Sequence, residues 1–270
     1  MDTVNNFSQS LPGLELSGLV SIIGALALTS IRVGSFFLAS PLFGYRIIPL
    51  QARIVISFAI SFLIYNKVDI PNIESLAGLP LFSIILVELL IGITSGLLLT
   101  ILFSASNLAG EKIAASTGLS FAGLIDPESG TQTPVLSQIL SLFMIVVFLS
   151  LDGHLLAISV ILESYNILPI GSTDINLSMI KLGIDAGGLM FKFGALIMLP
   201  LVVGITLLNV IIGIVTRSAP TLNLFSFGFP ITMIFAFFLL YVCAITIGSN
   251  FSNLTNVAVD FLYRLVEGLM

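Results

Sequence analysis

Apolar residues run along this chain almost without interruption. They gather into blocks near 19–40, 47–65, 80–105, 135–162, 177–216, 229–249 and 254–269. A block of about 20 apolar residues is long enough for a helix to cross the hydrocarbon core of a bilayer, so the pattern predicts helices and roughly five to seven spans. Between the third and fourth blocks the pattern breaks at residues 110–130, where Gly, Ala and Ser surround Phe121 and an Asp126-Pro127 stop. Backbone at membrane depth tolerates irregularity only where it is buried in protein or lines a cavity. The stretch is therefore expected to be a loop in a pore or at its mouth.

The segment from Leu81 to Thr117 has no internal proline and few polar breaks. As one helix it would extend about 50 Å, longer than the ~30 Å hydrocarbon core. Along it Glu88, Gly92, Gly96, Thr100, Phe103, Asn107 and Gly110 recur at three- and four-residue steps and share one helical face. Gly92 and Gly96 form a GxxxG pair, which lets another backbone approach closely. Two readings of this stripe stand: packing within the chain, and subunit contact in a tightly wound assembly.

Prolines punctuate the rest. Pro41 and Pro49 bracket a turn with Gly44 and Arg46, Pro71 and Pro80 flank a polar loop, and Leu168-Pro169-Ile170-Gly171 ends a segment. Pro200 interrupts a long apolar helix and is expected to kink it or to rely on neighbours for the freed carbonyl. Ala219-Pro220 and Gly228-Phe229-Pro230 frame a turn. The C-terminal third thus reads as a helical hairpin, 186–216 returning through 230–249, followed by a short amphipathic tail.

Composition agrees with a membrane environment. Of 270 residues, 57% are apolar and 9% charged, where soluble domains carry about 25% charged residues; the mean hydropathy is +1.17. The net charge of −5 and the absence of a basic cluster argue against nucleic-acid partners and a polybasic lipid patch. The lone Cys243 excludes an internal disulfide and a cysteine metal site. The first 18 residues hold Asp2 and Glu15 but no Lys or Arg, so no cleavable signal peptide is expected there. With no Trp and five Tyr, aromatic belts are weak.

Charge also sits inside the apolar blocks: Arg32, Glu88, Asp152, His154, Glu163, Asp185, Lys192 and Asp260. Each would cost roughly 2.5–3.5 kcal/mol at a lipid-facing helix centre. They must face protein, water or an interface, which makes a simple count of spans untrustworthy. Basic residues do not segregate to one set of loops, so orientation is undetermined.

Catalytic chemistry is hard to find. One His and one Cys make no zinc site, and GxSxG, Walker A and GxGxxG motifs are missing. His154 beside Asp152 is a proton shuttle on one reading and a helix-end pair on another. Glu88 is an intramembrane carboxylate and hence a functional suspect. It is equally well explained as a partner of Arg32 or Arg217, or as capped by a neighbouring subunit. The chain is expected to be no enzyme and to need no cofactor or metal.

An ordered set of motifs points further. Arg32 with Ser40-Pro41, Arg46, Pro49 and Arg53 is followed by Gly92 and Gly96, Ala109-Gly110-Glu111, Gly118-Leu119-Ser120-Phe121 and Asp126-Pro127. Then come Pro134, Gly153-His154, Leu168-Pro169-Ile170-Gly171, Ala186-Gly187-Gly188-Leu189, Arg217-Ser218-Ala219-Pro220 and Gly228-Phe229-Pro230. No tripeptide is specific, but the ordered set resembles the FliR/SpaR family, the R subunits of the flagellar and virulence type III protein-export gate, over nearly the whole chain.

The resemblance implies an all-α, membrane-associated protein built of kinked helical hairpins rather than a simple multi-span bundle. It would be one subunit of a helically staggered, conical assembly with P and Q subunits, placed in the bacterial inner membrane at the flagellar base and largely on the periplasmic side. Other membrane proteins of the export apparatus, membrane lipid and unfolded secreted proteins as cargo are further implied partners. Residues 1–185 would be P-like and 186–270 Q-like. The loop near 110–130, with Gly118, Leu119, Ser120, Phe121, Asp126 and Pro127, would project into the pore and help close it. Arg32, Glu88, Gly92, Gly96 and Arg217 would serve subunit packing or buried charge. The flagellar branch is favoured over the virulence branch. A proton-coupled multi-pass transporter using Glu88, Asp152 and His154 is the competing reading, and a purely structural scaffold is a third.

Overall fold

The computed structural model describes residues 16–44, 48–65, 68, 79–118, 135–172, 178–218 and 227–268. Among them every regular element is an α-helix: α1 (Leu16–Ala39), α2 (Leu50–Ile64), α3 (Leu79–Thr117), α4 (Val135–Ser150), α5 (Gly153–Ile167), α6 (Ser178–Ser218) and α7 (Phe229–Glu267). Four of them, within α1, α3, α6 and α7, are long and apolar enough to cross a membrane, and a fifth span results if α4 and α5 are counted as one bent pair.

That number differs from a count of apolar blocks for physical reasons. The block at 47–65 yields α2, whose 15 residues fall short of the roughly 17–25 a helical span needs. Residues 135–162 do not form one rod: the chain bends by 68° between α4 and α5. The bend sits at Asp152, in left-handed backbone at φ 55°, a conformation that Asp tolerates better than most residues. Gly153 follows because a Cβ there would lie 2.5 Å from the Phe148 ring.

Blocks 229–249 and 254–269, by contrast, fuse into the single helix α7. The expected tail is its continuation, because Ser249 to Thr255 contains polar residues but no proline to stop the helix, and Thr255 Oγ1 donates back to the Phe251 carbonyl. α6 likewise begins at Ser178 and runs through Pro200 without ending. At 39 and 41 residues, α3 and α6 extend about 58 and 62 Å, so a bilayer core covers only part of each.

The chain packs into two compact units, one of Met1–Thr100, Leu156–Leu182 and Phe261–Met270, the other of Ile101–Leu155 and Gly183–Asp260. In the first, α1 lies against α2 and α3, with Gly34 facing Ser57 and with Val87, Ile91 and Leu168 in a small apolar core. In the second, the rings of Phe103 and Phe148 meet edge to face at 5.0 Å, as do Phe143 and Phe251 at 5.4 Å. Large apolar side chains are nonetheless left outside: Leu63, Ile234, Tyr241 and Ile245 are 71–88% exposed. Such faces require lipid or other apolar surface to cover them.

Candidate functional site

Arg32 on α1 is fully buried, a position that an arginine holds only when its charge is paired and its donors are spent. Its Nε donates to Glu88 Oε2 at 2.7 Å and its Nη2 to Glu88 Oε1 at 2.9 Å. This planar, two-pronged match is the geometry for which guanidinium and carboxylate are complementary. Nη1 donates to Ser164 Oγ at 2.9 Å, and Nη2 also donates to the Leu168 carbonyl at 2.9 Å. The Tyr165 ring lies under the guanidinium, 4.1 Å from centroid to Cζ, while its hydroxyl donates to the Thr29 carbonyl at 2.6 Å. One side chain thereby ties together α1, α3 and the end of α5.

The sequence around Leu168 explains why its carbonyl is available. Pro169 disfavours helical backbone at the residue before it, so α5 stops at Ile167. Gly171 then takes φ 103° and the Ser172 N–H closes a turn on the Pro169 carbonyl at 3.2 Å. The last carbonyls of a helix have no partner within it and carry the negative end of its dipole. Arg32 meets both needs.

Next to this pair, α3 touches α1 backbone to backbone. A Cβ at Gly92 would lie 1.9 Å from Ser35 Oγ and 2.3 Å from the Arg32 carbonyl; one at Gly96 would lie 2.7 Å from Ala39 Cβ. Thr100 Oγ1, one turn on, donates to the Ala39 carbonyl at 2.6 Å. The glycine pair is thus filled by α1 of the same chain. The same stripe of α3 continues beyond Thr100, where Gly110 admits Ser137 of α4 to within 2.4 Å of a would-be Cβ. Ser137 Oγ donates to the Asn107 carbonyl at 2.9 Å, and Ser141 Oγ to Asn107 Oδ1.

α3 ends at Thr117, and Gly118 takes φ +79°, the left-handed conformation that closes many helices. All four terminal carbonyls find donors. Ala114 O accepts from Thr117 Oγ1 at 2.8 Å and Ala115 O from the Gly118 N–H at 3.2 Å. Ser116 O accepts from Asn209 Nδ2 of α6 at 3.0 Å, and Thr117 O from Thr232 Oγ1 of α7 at 3.3 Å. The Phe229 ring sits 2.5 Å from where a Gly118 Cβ would be. Beside these contacts opens a cleft of about 350 Å³, lined by the last turn of α3, Asn209, Ile212, Gly213, Gly228, Phe229 and Thr232.

The structure places the remaining candidates as follows. Both oxygens of Glu88 are taken by Arg32, which is one of the partners considered for it. Arg217 is exposed in the last turn of α6, a favourable place for a cation near the dipole's negative end. Asp152 is exposed at the bend, His154 is half-buried, and His154 Nδ1 has no hydrogen-bond partner among the described residues. Leu119, Ser120, Phe121, Asp126 and Pro127 lie outside the described residues. Among the described residues no cluster of His, Cys, Asp or Glu is arranged to hold a metal.

Sequence reasoning missed Ser164, Tyr165, Asn209 and Thr232. Asn209 alone carried a signal, as an amide in an otherwise apolar run whose neighbours Leu207, Val210 and Ile211 are exposed. A carboxamide in such surroundings needs a partner.

Comparison with known proteins identifies the family. Residues 23–257 match the family described as bacterial export proteins, family 1. The flagellar biosynthetic protein FliR of Escherichia coli (strain K12) is 32% identical over 75% of this chain and 77% of its own length. That of Aquifex aeolicus (strain VF5) is 31% identical over 88% and 93%. That of Buchnera aphidicola subsp. Acyrthosiphon pisum (strain APS) is 30% identical over 93% of both. A match running from α1 to α7 at this identity shows that the chain belongs to the FliR family of bacterial export proteins.

Proposed function

We propose that this chain is a core subunit of the flagellar type III export gate, the R subunit. With P and Q subunits it builds the channel through which unfolded flagellar proteins leave the cell interior, in the inner membrane at the base of the flagellum. The observation that carries the reading is the similarity, over nearly the full length of both chains, to relatives named for flagellar biosynthesis. Residues 1–185 are the P-like part and 186–270 the Q-like part in this reading.

Two features of the molecule support it. The exposed apolar faces of α7, including Ile234, Tyr241 and Ile245, exceed what an isolated subunit would leave uncovered. They suit a chain surrounded by lipid and small hydrophobic partners. Glu88, the carboxylate a proton-coupled transporter would use, is instead committed with both oxygens to Arg32.

Within the gate, the chain that follows α3, from Gly118 to about residue 130, acts as a seal; residues 110–117, expected in the same loop, form the last two turns of α3 instead. Phe121 supplies an apolar obstruction, and Gly118 marks the point where the helix hands over to the loop. Deletion within 116–124 is expected to raise ion leakage through the assembled, reconstituted complex while leaving assembly intact; an unchanged leak would sink the sealing role. Co-expression with the small hydrophobic partner subunits followed by native mass measurement tests the assembly itself, which should contain this chain together with several copies of them.

A further inference from the structure

The outer surface of α3 changes character along its length. From Phe82 to Leu97 it exposes six large apolar side chains. Beyond Leu97 it exposes no large apolar side chain among the described residues; Asn107, Glu111, Lys112 and Ala115 are the exposed ones. Ser104, Asn107 and Glu111 follow one another at three- and four-residue steps and so share one side of the helix. Other sides of these turns are taken within the chain: Gly110 meets Ser137 of α4, and Leu108 lies 2.9 Å from where a Cβ of Gly194 on α6 would be. Helix α4 widens the polar strip. Ser141 Oγ donates to Asn107 Oδ1, and the exposed Gln138 stands one turn before Ser141. Yet the same turns of α4 expose Ile139 and Leu142, with Val146 one turn further on. At a single level, the second compact unit presents a polar side next to an apolar one.

The two sides cannot have the same surroundings. Facing lipid, the Glu111 carboxylate would cost roughly 2.5–3.5 kcal/mol at the bilayer centre, and hydrocarbon offers exposed carboxamides no partners. Facing water, Ile139, Leu142 and Val146 would form an apolar patch with nothing to cover it. A wall that is wet on one side and covered by lipid or apolar subunits on the other satisfies both. We infer that Ser104, Asn107, Glu111, Gln138 and Ser141 form a strip of the water-filled side of the passage, along which an unfolded polypeptide moves. The inference rests on the export-gate reading above. Four of the five side chains are neutral. Hydroxyls and carboxamides exchange hydrogen bonds with water and with peptide groups alike, so an extended chain passes them without meeting a strong single contact. Glu111 is the one charge of the strip; Lys112, about 100° further round the helix, lies off it.

The test uses the full chain in its assembled complex. Glu111→Cys and Gln138→Cys place single thiols on the strip, and Leu142→Cys and Val146→Cys place them on the apolar side. The parent chain, whose lone Cys243 is half-buried, sets the background. The probe is a charged, membrane-impermeant methanethiosulfonate. It reacts with thiolate, and neither the reagent's charge nor the thiolate is stable in hydrocarbon. The two strip positions are expected to be labelled at least about tenfold faster than the two apolar ones. A flagellar substrate stalled in the passage by a fused domain that does not unfold should protect positions 111 and 138 and leave 142 and 146 unchanged. Equal labelling at all four positions, fast or slow, overturns the wet strip. Fast labelling at 111 and 138 that a stalled substrate does not slow places the strip away from the passage; it overturns the inference and leaves the export-gate reading standing. A chain that assembles without small hydrophobic subunits overturns that reading, and the inference with it. If Gln138→Cys does not assemble, Glu111→Cys carries the comparison.

Discussion

Two helix ends in this molecule solve the same problem by opposite means. Each helix terminates with carbonyls that have no partner within it. At the end of α5, the Leu168 carbonyl is met by a fully buried guanidinium, itself locked to Glu88. At the end of α3, the Ser116 and Thr117 carbonyls are met by a carboxamide and a hydroxyl. Removing one member of a buried ion pair leaves an uncompensated charge and costs about 3–5 kcal/mol. Losing a neutral bond costs about 0.5–1.5 kcal/mol. The first arrangement ties three helix segments together through a buried charge; the second closes a helix end with neutral donors alone.

Breaking the charged end should have the largest effect. Glu88→Leu strands Arg32 in an apolar interior, and the fraction of chain recovered in the folded, assembled complex should fall as for a loss of about 3–5 kcal/mol. The double variant Arg32→Met with Glu88→Leu should recover part of that loss, because the cost lies mainly in the unpaired charge. If the double variant is as poor as the sum of the two singles, the pair does not act as a unit.

Next comes the close approach beside it. Gly92→Ala places a methyl 2.3 Å from the Arg32 backbone carbonyl, so α1 and α3 must separate, at about 1–3 kcal/mol in a thermal-unfolding comparison. Because backbone obstructs it, Ser35→Ala should not rescue the variant. Full rescue would show that only the Ser35 hydroxyl stands in the way.

At the neutral end, Gly118→Ala meets both the left-handed φ of +79° and the Phe229 ring. The backbone term alone is about 1–2 kcal/mol. Phe229→Leu in that background should relieve the contact but not the backbone strain, so stability should return only in part. Loss of the neutral donors in Thr232→Val and Asn209→Leu stands last, with effects visible in local hydrogen exchange before they are visible in global stability.

Much of the fold was legible in the sequence because helices in an apolar chain are dictated locally. Seven apolar blocks foretold helices, and the punctuation at Pro49, Leu168-Pro169 and Gly228-Phe229-Pro230 falls at their ends. The face running from Glu88 to Gly110 was also readable, since a three- and four-residue spacing admits one side of a helix. Where it failed, the cause is physical. Residues 135–162 look continuous because a bend made by one left-handed Asp and a ring contact to Gly153 leaves no mark in hydropathy. The last two blocks look separate because polar residues lower hydropathy without breaking a helix.

The sequence by itself determined that this chain is helical, apolar and burdened with charges that cannot face lipid, and its ordered motifs determined its family. It left the partner of Glu88 open among Arg32, Arg217 and a neighbouring subunit, because pairing across 56 residues has no local signature. Only the tertiary structure decided for Arg32, and only it gave the α3 stripe to α1 in one half and to α4 in the other. It alone brought Asn209 and Thr232 to the end of α3, because a helix's unfilled carbonyls accept whichever donor the packing delivers, from however far along the chain.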